Sequence, residues 1–339
     1  MVIEATNEPD RLLGVVAIGA SAGGVEALST LAAGLSADLP YAYLMVLHVP
    51  PGAPSILARI VDRNGPLPAV PAEDGTPLEP GHIYVSVPDH HLLVADDRLV
   101  LSRGPTENGH RPAINALFRS VALTYGARAI GVLLSGMLDD GVRGLAAIRR
   151  RGGTTIVQSP DDALFPAMPV NALEAGVVDR QAAATDIGAV LKELSQQEIE
   201  DPAMEPDAAM EIENRIAMMS RFSTNFDSEK LGPPSGYTCP DCNGSLVSLT
   251  EGNFRCQVGH AWTAEALLAA RDHEVEGALW IALRSLHEKA RLARELADRT
   301  EAGMMSGRYS AMARETERAL AVLSDRLSTG KPREGGGDE

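Results

Sequence analysis

The sequence predicts an α/β fold: a doubly wound, mainly parallel sheet with helices on both faces, then a small zinc-ribbon-like unit and a C-terminal helical hairpin. Three observations predict it. Between residues 12 and 196, short runs dense in Val, Ile and Leu alternate with helical patterns, as expected for strands buried on both faces. Three Cys and a His then cluster between 239 and 260, at metal-ligand spacing. From 263 onward, Leu and Ala recur mostly three or four residues apart, the period of a helix.

In order, the expected elements are a strand over Leu13–Ile18, a helix over Val25–Gly34, a strand over Tyr43–His48 and a helix over Ser55–Arg63. His82–Val87, Leu92–Ala95 and Leu99–Ser102 read as short strands in an antiparallel excursion. Ile114–Tyr125 is a helix, Ala129–Ser135 a strand, Gly141–Arg151 a helix and Thr154–Gln158 a strand. A short helix over Pro169–Ala175, a brief strand at Val177–Val178 and a helix over Ala184–Leu194 close the first domain. The domain plan is a flexible N-terminus (1–11), a catalytic domain (12–196) and an acidic linker (197–236) with a short helix near Met210–Met219. A zinc-ribbon-like unit (237–262), a helical region (263–328) and a disordered tail (329–339) follow. A length of 339 residues accommodates two domains at roughly 100–200 residues each.

Composition narrows the function. A net charge of −16 argues against nucleic-acid binding, which needs a basic face to displace phosphate counterions, and against docking on an anionic membrane. No apolar run is long enough to span a bilayer, and the first residues carry no signal peptide, so neither membrane insertion nor export is expected. With its cysteines in one cluster rather than a disulfide framework, the chain reads as cytoplasmic.

Val15–Ile18 runs into Gly19-Ala20-Ser21-Ala22-Gly23-Gly24, and a helical pattern follows at once. The small neighbours leave Ser21 accessible at a strand-to-helix turn, where helix N-terminal N–H groups can hold an oxyanion. Alone, the run fits a phosphate cradle equally well. Against a dinucleotide, the glycines depart from G-x-G-x-x-G, and His48 stands where a ribose-binding acid belongs. His48 ends its strand, and Leu138-Asp139-Asp140-Gly141 follows another. A parallel sheet aligns such strand ends on one rim. There Ser21, His48 and an aspartate can form a nucleophile, a general base and the group that orients it. A satisfied loop histidine and a helix-capping aspartate are the plainer readings. The order Ser, His, Asp excludes the α/β-hydrolase order.

Ile18–Gly24, His48-Val49-Pro50-Pro51-Gly52, Glu73-Asp74-Gly75, His110-Arg111-Pro112 and Gly136-Met137-Leu138-Asp139-Asp140-Gly141 occur in the order seen in chemotaxis protein-glutamate methylesterases. Residues 12–196 resemble the catalytic domain of that family. The resemblance implies hydrolysis of glutamate γ-methyl esters on chemoreceptor-like proteins, with release of methanol and deamidation of some glutamines. It implies Ser21 as nucleophile, His48 as general base and acid, and Asp140, directly before Gly141, as the orienting carboxylate. Ala22 and Met137 would supply backbone oxyanion donors, and Arg111 would contact an acidic receptor helix. No cofactor is required for the chemistry. Two departures stand out. Ala22 replaces the family's usual Thr or Ser, and residues 1–11 leave no room before the first strand for the family's receiver domain. An idle signalling scaffold and a nucleotide-binding module are the competing readings.

Cys239 and Cys242 form C-x2-C, and Cys256 and His260 form C-x3-H. Four ligands on two turns, with Gly244 and Gly259 allowing the bends, suit a closed structural zinc site. Free thiols and a surface histidine are the alternative, and His273 lies too far along the next helix to be a first choice. The helical stripe reads as core, with dimerisation or docking of a signalling partner as the alternative.

Overall fold

The structure is a computed structural model that describes residues 12–197, 199, 207–218, 232–250 and 252–329. The expectations for the N-terminus, most of the acidic linker and the tail beyond 329 lie outside the described residues. The chain divides into two compact units, one running to Leu267 and one from Leu268.

The first unit begins β1 (Gly14–Ala20), α1 (Gly24–Ala33), β2 (Tyr41–Leu47), α2 (Leu57–Asn64), β3 (Ala69–Pro71) and β4 (Ile83–Val85). It continues with β5 (His91–Ala95), β6 (Arg98–Ser102), α3 (Ile114–Tyr125), β7 (Ala129–Leu133), α4 (Val142–Arg150), β8 (Thr154–Gln158), α5 (Ala167–Glu174), β9 (Arg180–Ala182) and α6 (Ile187–Leu194). Seven strands form one sheet in the order β3-β4-β2-β1-β7-β8-β9, and every neighbouring pair is parallel. Alternation along β1 divides the core. Val16, Ile18 and Ala20 pack with Leu28 and Leu31 of α1, Val61 of α2 and Ile187 and Leu191 of α6. Val15 and Ala17 pack on the other face with Leu117 and Phe118 of α3 and Leu145 and Ile148 of α4. Each inner strand is covered twice, which is why the strands read as unbroken apolar runs.

The expected antiparallel excursion holds only for β5 and β6, which pair as a separate hairpin. The run at His82–Val87 instead supplies β4 to the parallel sheet, beside the unforeseen edge strand β3. The last strand falls at β9 rather than at Val177–Val178, because Gly176 with φ +65 ends the preceding helix and delays the return to the sheet.

A short helix, α7 (Ala208–Met218), packs against α3. Next, β10 (Pro234–Thr238), β11 (Ser245–Thr250), β12 (Asn253–Cys256) and β13 (Ala261–Thr263) form a four-stranded antiparallel sheet. α8 (Ala264–Arg299) follows, and α9 (Met304–Thr329) returns along it, tied by the Ser306 hydroxyl donating to the Ala297 carbonyl at 3.0 Å and by an Arg294–Glu317 ion pair. Among the described residues, no helix is long and apolar enough to cross a membrane.

Candidate active site

The chain leaves β1 in one direction along the sheet and β7 in the other, so a crevice opens at the carboxyl ends of these central strands. Ser21 follows β1, His48 follows β2, and Asp140 lies in the turn after β7. Their side chains meet. His48 Nδ1 is 3.1 Å from Ser21 Oγ, and His48 Nε2 is 2.7 Å from Asp140 Oδ2. The His48 and Asp140 side chains are 6% and 3% exposed.

The serine turn is built from backbone. Ser21 N–H donates to the Ser135 carbonyl at 2.9 Å, and Gly24 N–H returns to the Ser21 carbonyl at 2.9 Å. Gly23 adopts φ +70, and a Cβ there would meet Ser135 Oγ at 2.7 Å. Gly136 is equally constrained, since its Cβ would lie 2.2 Å from Met168 Sδ and 3.0 Å from Ser21 Cβ. Ser135, overlooked in the sequence, ties the two turns together. Its hydroxyl donates to the Ala22 carbonyl at 2.8 Å and accepts from Phe165 N–H at 2.9 Å. Among the described residues, the Ala22 and Met137 N–H groups meet no acceptor. Exposed apolar side chains of Leu164 and Phe165 border this turn, and Met137 is 52% exposed.

Asp140 is a cap as well as a histidine partner. It accepts Ile114 N–H at 2.7 Å and Asn115 N–H at 3.2 Å, so it caps α3 rather than its own helix. Asn115 Oδ1 reciprocates at α4, accepting Gly141 and Gly144 N–H at 3.0 and 2.8 Å. Burial alone would raise the Asp140 carboxyl pKa, but the His48 hydrogen bond, the nearby imidazoles and the Ile114 N–H outweigh it and hold the group below the usual carboxylate range. Its charge at the positive end of a helix is favourable.

His110 is the principal residue that sequence reasoning passed over. Its ring stacks on His48 with centroids 3.7 Å apart and planes at 11°. Burial, with some help from His48, lowers its pKa to about 4, so it lies on His48 as a neutral ring near pH 7. Its place in the His110-Arg111-Pro112 run was the available signal. Arg111 follows a cis-free peptide at its own N-terminus but precedes a cis bond to Pro112. Its guanidinium is bound to the Asp89 carboxylate and donates to the Gly104 carbonyl at 2.8 Å.

Asp139 points elsewhere, accepting the Thr263 hydroxyl at 2.9 Å. Burial raises its pKa to about 6, with Glu265 and Asp140 adding to the rise against the Thr263 hydrogen bond. A carboxyl whose pKa is raised by folding is stabilising in its protonated form, and that contribution is lost as pH rises through about 6. Asp139→Asn is therefore expected to gain about 1–3 kcal/mol at pH 8, taking 1.36 kcal/mol per pKa unit, and under about 1 kcal/mol at pH 4. Denaturant melts at the two pH values test this, and an equal effect at both would refute it.

In the metal-ligand cluster, the ligand atoms of Cys239, Cys242, Cys256 and His260 lie within 4.8 Å of one another. Cys242 and Cys256 Sγ are 3.7 Å apart, and His260 Nδ1 is 3.6 and 3.4 Å from Cys239 and Cys256 Sγ. A tetrahedral zinc with bonds of about 2.3 Å to sulfur and 2.0 Å to nitrogen sets its ligands about 3.5–3.8 Å apart, so the donor set fits. The bend after Cys242 is made by Asn243 at φ +58, with Gly244 close against Cys242 Sγ, whereas Gly259 takes φ +108 as expected. His273 is on α8, bonded to its own helix at Ala269.

Residues 16–191, just over half of the sequence, match the CheB methylesterase family. The chain belongs to that family. A relative from Anaeromyxobacter dehalogenans, named protein-glutamate methylesterase/protein-glutamine glutaminase 3, is 45% identical over 167 residues, which is 49% of each chain. A Geobacter metallireducens protein of the same name, numbered 4, is 42% identical over 50% of this chain and 49% of its own. The CheB methylesterase catalytic domain of Thermotoga maritima is 31% identical, with a TM-score of 0.51 over 53% of this chain and 98% of that one. The chain spans about half the length of the curated relatives it matches. The cysteine cluster and α8–α9 lie outside the family match.

Proposed function

We propose that this chain is a protein-glutamate methylesterase acting on methylated chemoreceptor-like proteins in the cytoplasm. The Ser21–His48–Asp140 chain of contacts, at the crevice of a CheB-family domain, carries the reading. Ser21 Oγ attacks the ester carbonyl while His48 Nδ1 takes its proton, because a free serine hydroxyl is too weak a nucleophile near neutral pH. Asp140 holds the Nε2–H tautomer and balances the imidazolium. The Ala22 and Met137 N–H groups, free of other acceptors, receive the oxyanion, each donor being worth about 10²–10³ in rate. Methanol leaves with the proton from His48, and water then releases the glutamate carboxylate. The same attack on a glutamine amide expels ammonia, the glutaminase activity named in the relatives.

The apolar rim of Met137, Leu164 and Phe165 suits the surface of a receptor helix. In this reading Arg111 serves by anchoring the loop that carries His110, since its donors are taken by Asp89 and Gly104. The Cys239, Cys242, Cys256 and His260 cluster holds a structural zinc, with no open position for chemistry. A signalling partner on α8–α9 would rest on domain order alone. A scaffold has no use for this Ser, His and Asp geometry, and a nucleotide site lacks its ribose-binding acid.

Methanol release from methylated receptor membranes, measured for wild type and Ser21→Ala, tests the proposal. Release by wild type with a loss of about 10⁴-fold or more in the variant is expected. Equal release by both would rule out the serine mechanism.

A further inference from the structure

Strand β13 does more than close the ribbon. Thr106–His110 forms a tight hairpin, with Glu107 and His110 exchanging backbone hydrogen bonds at 3.2 and 2.9 Å. Its two turn residues, Asn108 and Gly109, adopt φ +52 and +75, the positive pair that an Asn-Gly hairpin turn requires. This hairpin places His110 on His48. The ribbon takes hold of it along its length. Ala261 N–H donates to the Thr106 carbonyl at 3.1 Å, and Asn108 N–H donates to the Ala261 carbonyl at 2.8 Å. Thr263 N–H donates to Asn108 Oδ1 at 2.9 Å. The Trp262 ring lies 3.3 Å from where a Gly109 Cβ would stand. From the same strand, the Thr263 hydroxyl reaches the other wall of the site, at Asp139, the neighbour of the His48 partner Asp140. Asn171 braces that wall too, donating to the Leu138 carbonyl at 2.9 Å and to Glu265 at 3.1 Å. Two walls of the crevice are thus joined through one ribbon strand, whose first residue follows the ligand His260 directly.

We propose that the ribbon is a metal-held brace of the esterase site, with Thr263 a positioning residue that joins the His110 hairpin to the Asp139–Asp140 turn. The proposal rests on the esterase reading for its kinetic consequence but not for its structural one. A small antiparallel sheet of this size buries too little apolar surface to order itself, so its metal supplies the folding free energy. Losing the metal loosens β13, and with it the stacking of His110 and the aim of Asp140. A displacement of about 1 Å at such a site can cost about 10²-fold in rate. Zinc would contribute to catalysis without touching substrate.

The test uses the full chain, loaded with zinc, as wild type, Thr263→Val and Thr263→Ser, and wild type stripped by a chelator, with folding followed by circular dichroism. Methanol release gives kcat and KM, and the imidazole NMR signals of His48 and His110 report their stacking. Thr263→Val is expected to lower kcat about tenfold with KM within about twofold and to shift the His48 signals. Thr263→Ser, which keeps the hydroxyl, should restore both. Stripping should move the same signals and lower kcat at least as far. Wild-type kcat and wild-type His48 signals in both the valine variant and the stripped protein would overturn the proposal. If wild type releases no methanol, the esterase reading falls, and the His48 signals alone then decide whether the ribbon braces this site.

Discussion

Asp140→Asn is expected to lower kcat for ester hydrolysis by about 10⁴-fold, the scale set when a triad histidine is left in the wrong tautomer. The geometry explains why so conservative a change should be so costly. Asp140 offers two oxygens to three donors: His48 Nε2–H and Ile114 N–H on Oδ2, and Asn115 N–H on Oδ1. Asparagine has one oxygen and one NH2 group, and Nε2–H and Ile114 N–H share the Oδ2 position, so the NH2 faces either Asn115 N–H alone or Ile114 N–H and Nε2 together. The helix N–H groups are fixed donors, whereas the imidazole can move its proton. In the second orientation Asn115 N–H keeps its oxygen, Nε2 must accept, and the proton shifts to Nδ1, 3.1 Å from Ser21 Oγ. That nitrogen can no longer take the serine proton. Nitrogen NMR of His48 should show the tautomer exchanged in the variant while far-ultraviolet circular dichroism is unchanged. A kcat within tenfold of wild type would mean that Asp140 acts only as a helix cap.

The parallel sheet was legible because its strands are buried twice and carry few polar residues, and because glycines and prolines punctuate the turns. Ser21, His48 and Asp140 were legible for the same reason, since parallel strands bring their carboxyl ends to one rim. What escaped depends on contacts between distant segments. Nothing local in Glu107-Asn108-Gly109-His110 shows that β13 pairs with it, since the two are joined only by the fold. The sequence places a boundary between a catalytic domain ending at 196 and a ribbon beginning at 237, whereas the first compact unit runs to Leu267 and includes both. Ser135 looked like a strand residue, and its role appears only once the Ser21 and Phe165 segments converge on it. Edge strand β3 was missed because its three residues are too few to show a period.

The second large effect is expected at Glu107, whose carboxylate sits beneath the His110 hairpin. Arg119 of α3 and Arg255 of β12 are both almost fully buried and share two carboxylates, Glu107 and Glu213 of α7. Arg143 joins them from the solvent side through Glu213 at 3.2 Å. The cluster therefore joins the catalytic domain, α7 and the ribbon. Burial alone would raise the Glu107 pKa, but Arg119, with a smaller contribution from Arg255, carries it down to about 2. Glu107→Gln removes one negative charge and leaves two buried guanidinium groups competing for Glu213. Breaking a buried ion pair from one side costs about 3–5 kcal/mol, a large part of the roughly 5–15 kcal/mol that holds a domain together. The sign of the pH dependence follows from the depressed pKa. The Glu107 contribution is fully present above its unfolded pKa near 4.5 and is lost as pH falls through about 2, so the gap between wild type and variant should be widest near pH 7 and narrow below pH 4. Urea melts of both proteins at pH 7 and pH 3 measure that gap. A gap that stays constant would assign the loss to packing rather than charge, whereas a narrowing gap would assign it to the Glu107 charge in this ion cluster.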